Sequence, residues 1–178
     1  AFAEQAADEV LNELNVVRKI DTLALAIGGG KGFPKAAAIL ERELAAAFGI
    51  SPARAAHLAA TYGTTARVLL AFCQERADDK PLSAQTEITG AEIAFIARHE
   101  SVVTLADIVL RRTTLAIRGL LSEELLDALT TAAGDELGWS AEEREQQLNA
   151  LAANLFTYHG VTLDGRPSED LVRSKICV

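Results

Sequence analysis

The segment from Glu92 to Leu115 constrains the fold of this chain more than any other stretch of its sequence. It reads EIAFIARHESVVTLADIVLRRTTL, so apolar residues recur every three or four positions on both sides of a short polar break. This spacing is typical of two amphipathic helices. Charged residues lie within and between the two apolar stripes, and charges so close to a core have to be paired. These residues are Arg98, His99, Glu100, Asp107, Arg111 and Arg112.

Residues that start and end helices divide most of the remaining chain. Serine, threonine or proline opens each predicted helix after the first, and glycine closes several of them, as expected for N-caps, first-turn prolines and C-caps. Thr89 with Glu92 and Ser140 with Glu143 have the spacing of capping boxes. The second to eighth helices are predicted to begin at or next to Pro34, Ser51, Thr65, Thr89, Thr104, Ser122 and Ser140.

The sequence predicts an all-α fold, in a single compact helical domain of about seven to eight helices. A chain of 178 residues with 49% apolar and 24% charged residues is long and apolar enough for one well-buried core. We divide it into N-terminal helices with a polar linker at 1–87, a helical core at 88–160 and a tail at 161–178. The tail contains Gly165 and Pro167, so we expect at most one short turn from Ser168.

The net charge of −8 and the pI of about 4.9 exclude two classes of partner. No basic patch is available to neutralise the phosphates of a nucleic acid or of an anionic membrane surface. No apolar run reaches the roughly 20 residues that a membrane-spanning helix needs. Cys73 and Cys177 have neither CxxC nor metal-ligand spacing, so we expect free thiols in a reducing cytosol.

Two motifs that often carry chemistry are interpreted as structural. The glycine-rich stretch 28–31 does not have the G-x-x-x-x-G-K-[ST] spacing of a phosphate loop, and Pro34 removes an N–H donor from the helix that follows. We expect a flexible connector there. His57, His99 and His159 lack a partner at metal-ligand spacing, so structural roles are expected for them. No residue is assigned to a catalytic, cofactor-binding or metal site.

The charged residues of the 92–115 segment admit two interpretations. Asp107 and Arg111 are four positions apart, acid before base, which favours an ion pair on one helix. Arg98, Glu100 and Asp107 could meet across the turn between the two helices and lock them together. Removing one partner of such a buried pair would cost about 3–5 kcal/mol. The other interpretation is that Arg111 or Arg112 contacts a neighbouring domain or an anionic ligand.

Four stretches of sequence carry a family resemblance. AEIAFIARHE, TLADIVLRRTTLA and ELGWS lie between Ile88 and Ser140, and LAATYGTTARVLL spans Leu58 to Leu70. Together they resemble the C-terminal domain of FAD-dependent, quinone-linked glycerol-3-phosphate dehydrogenases, which implies a C-terminal cap domain of a longer flavoenzyme. The chain has no methionine, and its first helical stripe has no cap before it, which also indicates a fragment of a longer polypeptide. That stripe consists of Phe2, Ala6, Val10 and Leu14.

The resemblance implies an intact enzyme that oxidises sn-glycerol 3-phosphate to dihydroxyacetone phosphate with FAD. Its electrons pass to a membrane quinone, or to oxygen in the oxidase relatives. The flavin and substrate residues of such enzymes belong to an N-terminal region, whose G-x-G-x-x-G and T-T-Y-R motifs are missing here. The fragment is therefore expected to bind no cofactor, to be inactive alone and to act through packing against other parts of the enzyme.

The implied partners are the N-terminal flavin domain of the same polypeptide and a second copy of the protein in a homodimer. The implied location is the cytoplasm, with the intact enzyme peripheral on the inner face of the cell membrane. The candidates for structural or interdomain contacts are Arg98, Glu100, Asp107, Arg111 and Arg112. An alternative interpretation is a free-standing helical module that binds a protein partner in an apolar groove.

Overall fold

The computed structural model of the chain describes residues 2–23 and 25–163. In these residues the prediction of an all-α fold is confirmed, because the only β feature is an isolated bridge between Pro81 and Thr89. The predicted turn at Ser168 and the thiol of Cys177 lie outside the described residues. The helices are α1 (Phe2–Glu13), α2 (Ala37–Phe48), α3 (Pro52–Tyr62), α4 (Ala66–Gln74), α5 (Gly90–His99), α6 (Leu105–Asp107), α7 (Glu123–Leu137) and α8 (Ala141–His159).

The contacts within the chain group its residues into two compact units, Ala1–Ala66 and Arg67–Val178. In the first unit, α2 and α3 pack against each other, and their buried side chains include Leu40, Leu44 and Leu58. Burial of an apolar helix face supplies most of the stability of helices this short, since propensity alone is marginal at this length.

The ends of α2 and α3 follow mostly from their capping residues. Ser51 caps α3 as predicted, since its hydroxyl accepts a hydrogen bond from the N–H of Arg54 at 3.1 Å. Gly49 ends α2 in a left-handed conformation with φ of 67°, which glycine adopts without a Cβ penalty. The predicted start of α2 near Pro34 is wrong, because Ala36 is still extended and helical hydrogen bonding begins after it.

The second unit is built around α5. Every residue from Gly90 to Ala97 is buried, and the helix contacts α7 and the segment after α6. The helices α6 and α7 in turn contact α8. Apolar side chains from all of these elements form one core. Its fully buried members include Ile93, Ile96, Leu105, Ile108, Leu115, Leu125 and Leu126.

The second apolar stripe of the 92–115 segment differs from the regular helix that its spacing predicts. The α-helix α6 lasts only three residues and continues as a π-helical turn, Ile108–Arg112. Thr113 closes this turn, because its N–H and its hydroxyl both donate to the carbonyl oxygen of Ile108 at 2.9 Å. The helix therefore ends with this wider π turn at Arg112, whereas the apolar stripe in the sequence continues to Leu115.

The predicted caps of the second unit are confirmed at four helix starts. The hydroxyls of Thr89, Ser122 and Ser140 each accept a hydrogen bond from an N–H in the first turn of their helix. Thr104 and Asp107 form a reciprocal capping box, as Ser140 and its acid three residues later also do. Gly138 and Gly160 end α7 and α8 in left-handed conformations, also as predicted. Local signals thus position the helices that carry the charged residues.

Replacing Thr104 by alanine tests how much the α6 cap stabilises the fold. We expect the free energy of unfolding to fall by about 1 kcal/mol, because an N–H of the first turn loses its acceptor. Urea denaturation at neutral pH measures the change. Thr114→Ala is the matched control, since that side chain is exposed, and its effect should stay within about 0.5 kcal/mol. Equal effects of the two substitutions would contradict a stabilising role for the cap.

Candidate functional site

The five charged candidates are distributed over separate ion pairs. Glu100 and Arg112 approach each other at 3.8 Å, and Asp107 and Arg111 at 2.7 Å. Arg98 does not join either pair; its Nε lies 2.5 Å from a carboxylate oxygen of Glu136 on α7. The expected meeting of Arg98, Glu100 and Asp107 across the turn is therefore replaced by three pairs with different partners.

The predicted i,i+4 pair of Asp107 and Arg111 is present, but it is not buried as expected. The Arg111 side chain is 76% exposed, whereas that of Asp107 is 14% exposed. An exposed pair of this kind contributes about 0.2–1 kcal/mol, well below the value for a buried pair. Burial acts to raise the pKa of Asp107, but hydrogen bonds from Thr104 and Val103 and the charge of Arg111 outweigh it, so the pKa is lowered.

The surroundings of Glu100 stabilise its carboxylate less than those of Asp107 do. Burial raises the pKa of its carboxyl, and the nearby charge of Glu92 raises it further, while Arg112 and His99 oppose the rise. The distance of 3.8 Å to Arg112 makes this a weak pair, with no hydrogen bond between the two groups. The pKa of Glu100 is therefore higher in the folded protein than in the unfolded chain.

A further charged network surrounds Glu136, a residue that was not among the sequence candidates. Its side chain is 9% exposed and accepts from both Arg98 and Arg76, the latter at 3.3 Å. Arg76 also makes two hydrogen bonds to Asp78, at 2.8 and 3.0 Å, and these hold the pKa of Asp78 below its usual range. Glu136 begins the ELGWS stretch, and that motif was the available signal for its role.

Aromatic rings lie beside the same network. The guanidinium carbons of Arg76 and Arg98 are 5.4 and 5.1 Å from the centre of the Phe72 ring. Phe72 also packs edge-on against Phe95 at 5.6 Å, and Phe95 contacts the ring of His99 at 4.6 Å. The rings supply cation–π attraction to both arginines. We call Phe72, Arg76, Arg98 and Glu136 the guanidinium cluster; in it each arginine has a carboxylate partner.

The second unit also contains a cleft of about 470 Å³. Its lining is mostly apolar and comes from the π turn, the following loop and the end of α8. Of its two polar side chains, the hydroxyl of Thr113 already donates to a backbone carbonyl. His159 is therefore the only titratable group of the lining, which offers no paired acid and base. The lining residues are Val109, Leu110, Thr113, Ala116, Ile117, Leu155, His159 and Val161.

The glycine-rich stretch is a packed turn and not the flexible connector that we expected. Gly28–Gly30 forms a single 3-10 turn in contact with the turn Gly63–Thr65, and a Cβ at Gly29 would overlap the carbonyl oxygen of Tyr62. The hydroxyl of Thr64 lies 2.9 Å from the carbonyl oxygens of Gly29 and Lys31. Only glycine allows backbones to approach this closely. The pair Tyr62-Gly63, at the end of α3, was the sequence signal for this contact.

This turn does not fit the pyrophosphate of FAD, because the backbone of Gly29 faces another part of the protein. The described residues also contain no strand–turn–helix unit, which dinucleotide sites of the G-x-G-x-x-G type require. In residues 2–23 and 25–163, no three His, Cys, Asp or Glu side chains are placed to share a metal ion. His99 packs on Phe95, and Cys73 is buried. None of the helices in the described part of the chain is long and apolar enough to cross a membrane.

Comparison with known proteins gives one family match and two similar relatives. The family model described as the C-terminal domain of alpha-glycerophosphate oxidase matches residues 20–144. The alpha-glycerophosphate oxidase of Lactococcus lactis subsp. lactis (strain IL1403) is 30% identical over 139 residues, which are 74% of this chain and 22% of that protein. The chain is also 31% identical over 107 residues to "Probable glycerol-3-phosphate dehydrogenase, mitochondrial" of Caenorhabditis elegans, covering 57% of this chain and 15% of that protein. The chain thus spans about a fifth or less of the length of these relatives.

Replacing Glu136 by glutamine tests the guanidinium cluster. The free energy of unfolding should fall by about 1.5–3 kcal/mol, because two charge-assisted hydrogen bonds lose their anion in a largely buried position. Asp135→Asn is the neighbouring control; that carboxylate is 62% exposed, so its loss should cost at most about 1 kcal/mol. Urea denaturation at pH 7 compares the two. A smaller loss for Glu136→Gln than for the control would show that the cluster does not stabilise the fold.

Replacing Glu100 by glutamine should raise the free energy of unfolding at neutral pH, whereas Glu136→Gln should lower it. A carboxyl whose pKa is higher in the folded state costs stability once it ionises, and glutamine removes that cost. Below the unfolded pKa of about 4.3 both forms are neutral and the variant should match the parent. As the pH rises through the raised pKa of the folded state, the variant should become the more stable protein, and the gain should then be constant. Thermal melts between pH 4 and pH 8 measure this. A variant less stable than the parent at pH 7 would mean that the ion pair with Arg112 outweighs burial.

Proposed function

Because the chain belongs to the family of C-terminal domains of alpha-glycerophosphate oxidase, we propose that it is the cap domain of a longer FAD-dependent enzyme. The intact enzyme oxidises sn-glycerol 3-phosphate to dihydroxyacetone phosphate. The observation that carries this proposal is the family match over residues 20–144, supported by relatives that are named as a glycerophosphate oxidase and a glycerol-3-phosphate dehydrogenase.

The domain itself has a structural role in this proposal. Several of its charged groups bind one another, since Arg76 and Arg98 share Glu136 and Asp107 caps its own helix. Oxidation of an alcohol needs a positioned general base and a separate electron acceptor. The cleft beside α8 offers a single titratable side chain. Residues 1–178 alone are therefore inactive.

FAD and the substrate are held by the part of the intact enzyme that lies outside this chain. The packed glycine turn at 28–30 supports this assignment, because it has no free backbone surface at Gly29 for a phosphate. The partner of the cap is that flavin domain of the same polypeptide, and the intact enzyme is a homodimer. Arg111 and Arg112, whose side chains are 76% and 40% exposed, are the candidates for contacts beyond the domain.

The electron acceptor of the intact enzyme is a quinone. Oxygen is the competing acceptor, because one relative is named an oxidase and the other a dehydrogenase. A quinone acceptor places the enzyme in the cytoplasm as a peripheral protein on the inner face of the cell membrane. Membrane contact then belongs to the rest of the enzyme, since the net charge of this chain is −8.

An assay of the intact enzyme tests the reaction and the acceptor together. With sn-glycerol 3-phosphate and a short-chain ubiquinone under nitrogen, we expect reduction of the quinone and a flavin absorbance that bleaches when substrate is added. Residues 1–178 alone should show neither signal. Turnover in air with peroxide formation, and none with quinone, would make the protein an oxidase. Absence of activity with both acceptors in flavin-loaded protein would contradict the proposal and favour a separate helical binding module.

The structural role of the cap can be separated from chemistry in the same enzyme. Glu136→Gln should lower the melting temperature of the intact protein by several degrees, while kcat per bound FAD stays within about twofold of the parent. Asp135→Asn, the neighbouring control, should change both quantities much less, because its carboxylate is 62% exposed. A large loss of kcat with an unchanged melting temperature in Glu136→Gln would place the guanidinium cluster in the catalytic machinery.

A further inference from the structure

The polar face of α1 contacts residues 16–22, and its apolar face lies on the other side of the helix. One carboxylate oxygen of Glu4 accepts from the N–H of Thr22 at 2.6 Å, and Asp8 bonds to Arg18 at 2.7 and 3.2 Å. The carbonyl oxygen of Leu11, on the same side, accepts from the N–H of Val16 at 2.9 Å. The segment 16–22 thus covers the acidic side of α1 and lowers the pKa of Glu4 through these hydrogen bonds.

The opposite side of α1 is apolar and exposed. Phe2, Ala6, Val10 and Leu14 recur every four residues and so share one face. Phe2, Val10 and Leu14 are 83%, 61% and 64% exposed, and no residue of α1 is buried. We call these four residues the α1 stripe. Amphipathic helices of globular proteins bury the apolar face, and a contiguous exposed one marks an interaction site.

The family match shows where α1 belongs. It begins at residue 20, so α1 and the α1 stripe precede the matched C-terminal domain. The region similar to this chain makes up only 22% of the Lactococcus relative, so most of such a protein lies outside what the cap represents. A helix that precedes the cap and contributes nothing to its core fits an element of that larger body.

The charges near the α1 stripe favour a protein partner over a lipid surface. Glu9 and Glu13 follow Phe2 and Ala6 by seven residues, which puts both acids on the stripe side of the helix. The stripe itself contains no basic residue. Anionic lipid repels such a face, whereas an apolar groove with basic residues at its rim would match it.

We propose that the α1 stripe docks into an apolar groove of the flavin-binding part of the same polypeptide, with Val10 at the centre of the contact. In the intact protein α1 is then an element of that body, and residues 16–22 connect it to the cap. The inference rests on the proposed function only in naming the flavin-binding part as the partner.

Cysteine labelling of the intact protein tests the docking. Val10→Cys puts a thiol in the stripe, and Asn12→Cys puts one on an exposed, outward position of the same helix as the matched control. Both are labelled with a small maleimide in the native protein and in urea, and peptide mass spectrometry reads each site separately from Cys73 and Cys177. Relative to urea, we expect labelling at position 10 to be at least about tenfold slower than at position 12.

Three results would overturn the docking. Equal labelling at positions 10 and 12 would mean that the stripe is open in the intact protein. Protection that disappears on dilution, together with a monomer in sedimentation, would assign the stripe to a second copy. Protection that requires vesicles of phosphatidylglycerol and phosphatidylethanolamine would assign it to the membrane. Turnover of sn-glycerol 3-phosphate in the same preparations separates the two proposals, because an active enzyme with an open stripe refutes only the docking.

Discussion

The burial of one carboxylate, that of Glu136, organises the second unit of this protein. It lies near the end of α7, and α7 packs against α5, whose residues from Gly90 to Ala97 are all buried. A carboxylate with a side chain 9% exposed is stable there only if cations compensate the lost water. Arg98 supplies one from α5 and Arg76 another from the segment after α4. The pairing thus fixes three segments of the chain relative to one another.

The position of the two arginines also explains the aromatic residues around them. Each guanidinium must sit within reach of Glu136, which leaves its flat face beside Phe72 at 5.1 to 5.4 Å. Phe72 packs edge-on against Phe95, so the ring that faces both guanidinium groups is itself held by a second aromatic ring. The cluster is therefore a consequence of packing α5 on α7, and its charge balance leaves little attraction for an external anion.

Local signals in the sequence identified the helices, but they did not identify most contacts between residues that are far apart in the sequence. Ser140, Thr104 and Gly138 act within one turn of themselves, so their roles could be predicted from spacing alone. The partner of Arg98 lies 38 residues away in the sequence, and no spacing rule reaches that far. The sequence analysis also missed the π turn. This turn depends on the hydroxyl of Thr113, which donates to the carbonyl oxygen of Ile108 five residues earlier, a spacing outside the α-helical pattern. The family resemblance was confirmed by the match over residues 20–144, since it rested on whole stretches and not on single contacts.

The glycine turn and α1 differ in whether the described chain itself explains their residue types. Gly29 has its backbone against Tyr62 and Gly63, so the need for glycine is met inside the chain and no ligand is needed to explain it. The α1 stripe presents the reverse case, because nothing in the described chain requires Phe2 and Val10 to be apolar. A helix of this length is marginal in water unless a face is buried. Glu4 and Asp8 of α1 already bind Arg18 and Thr22, so the α1 stripe is the face left for burial, and this is why we propose a partner for it.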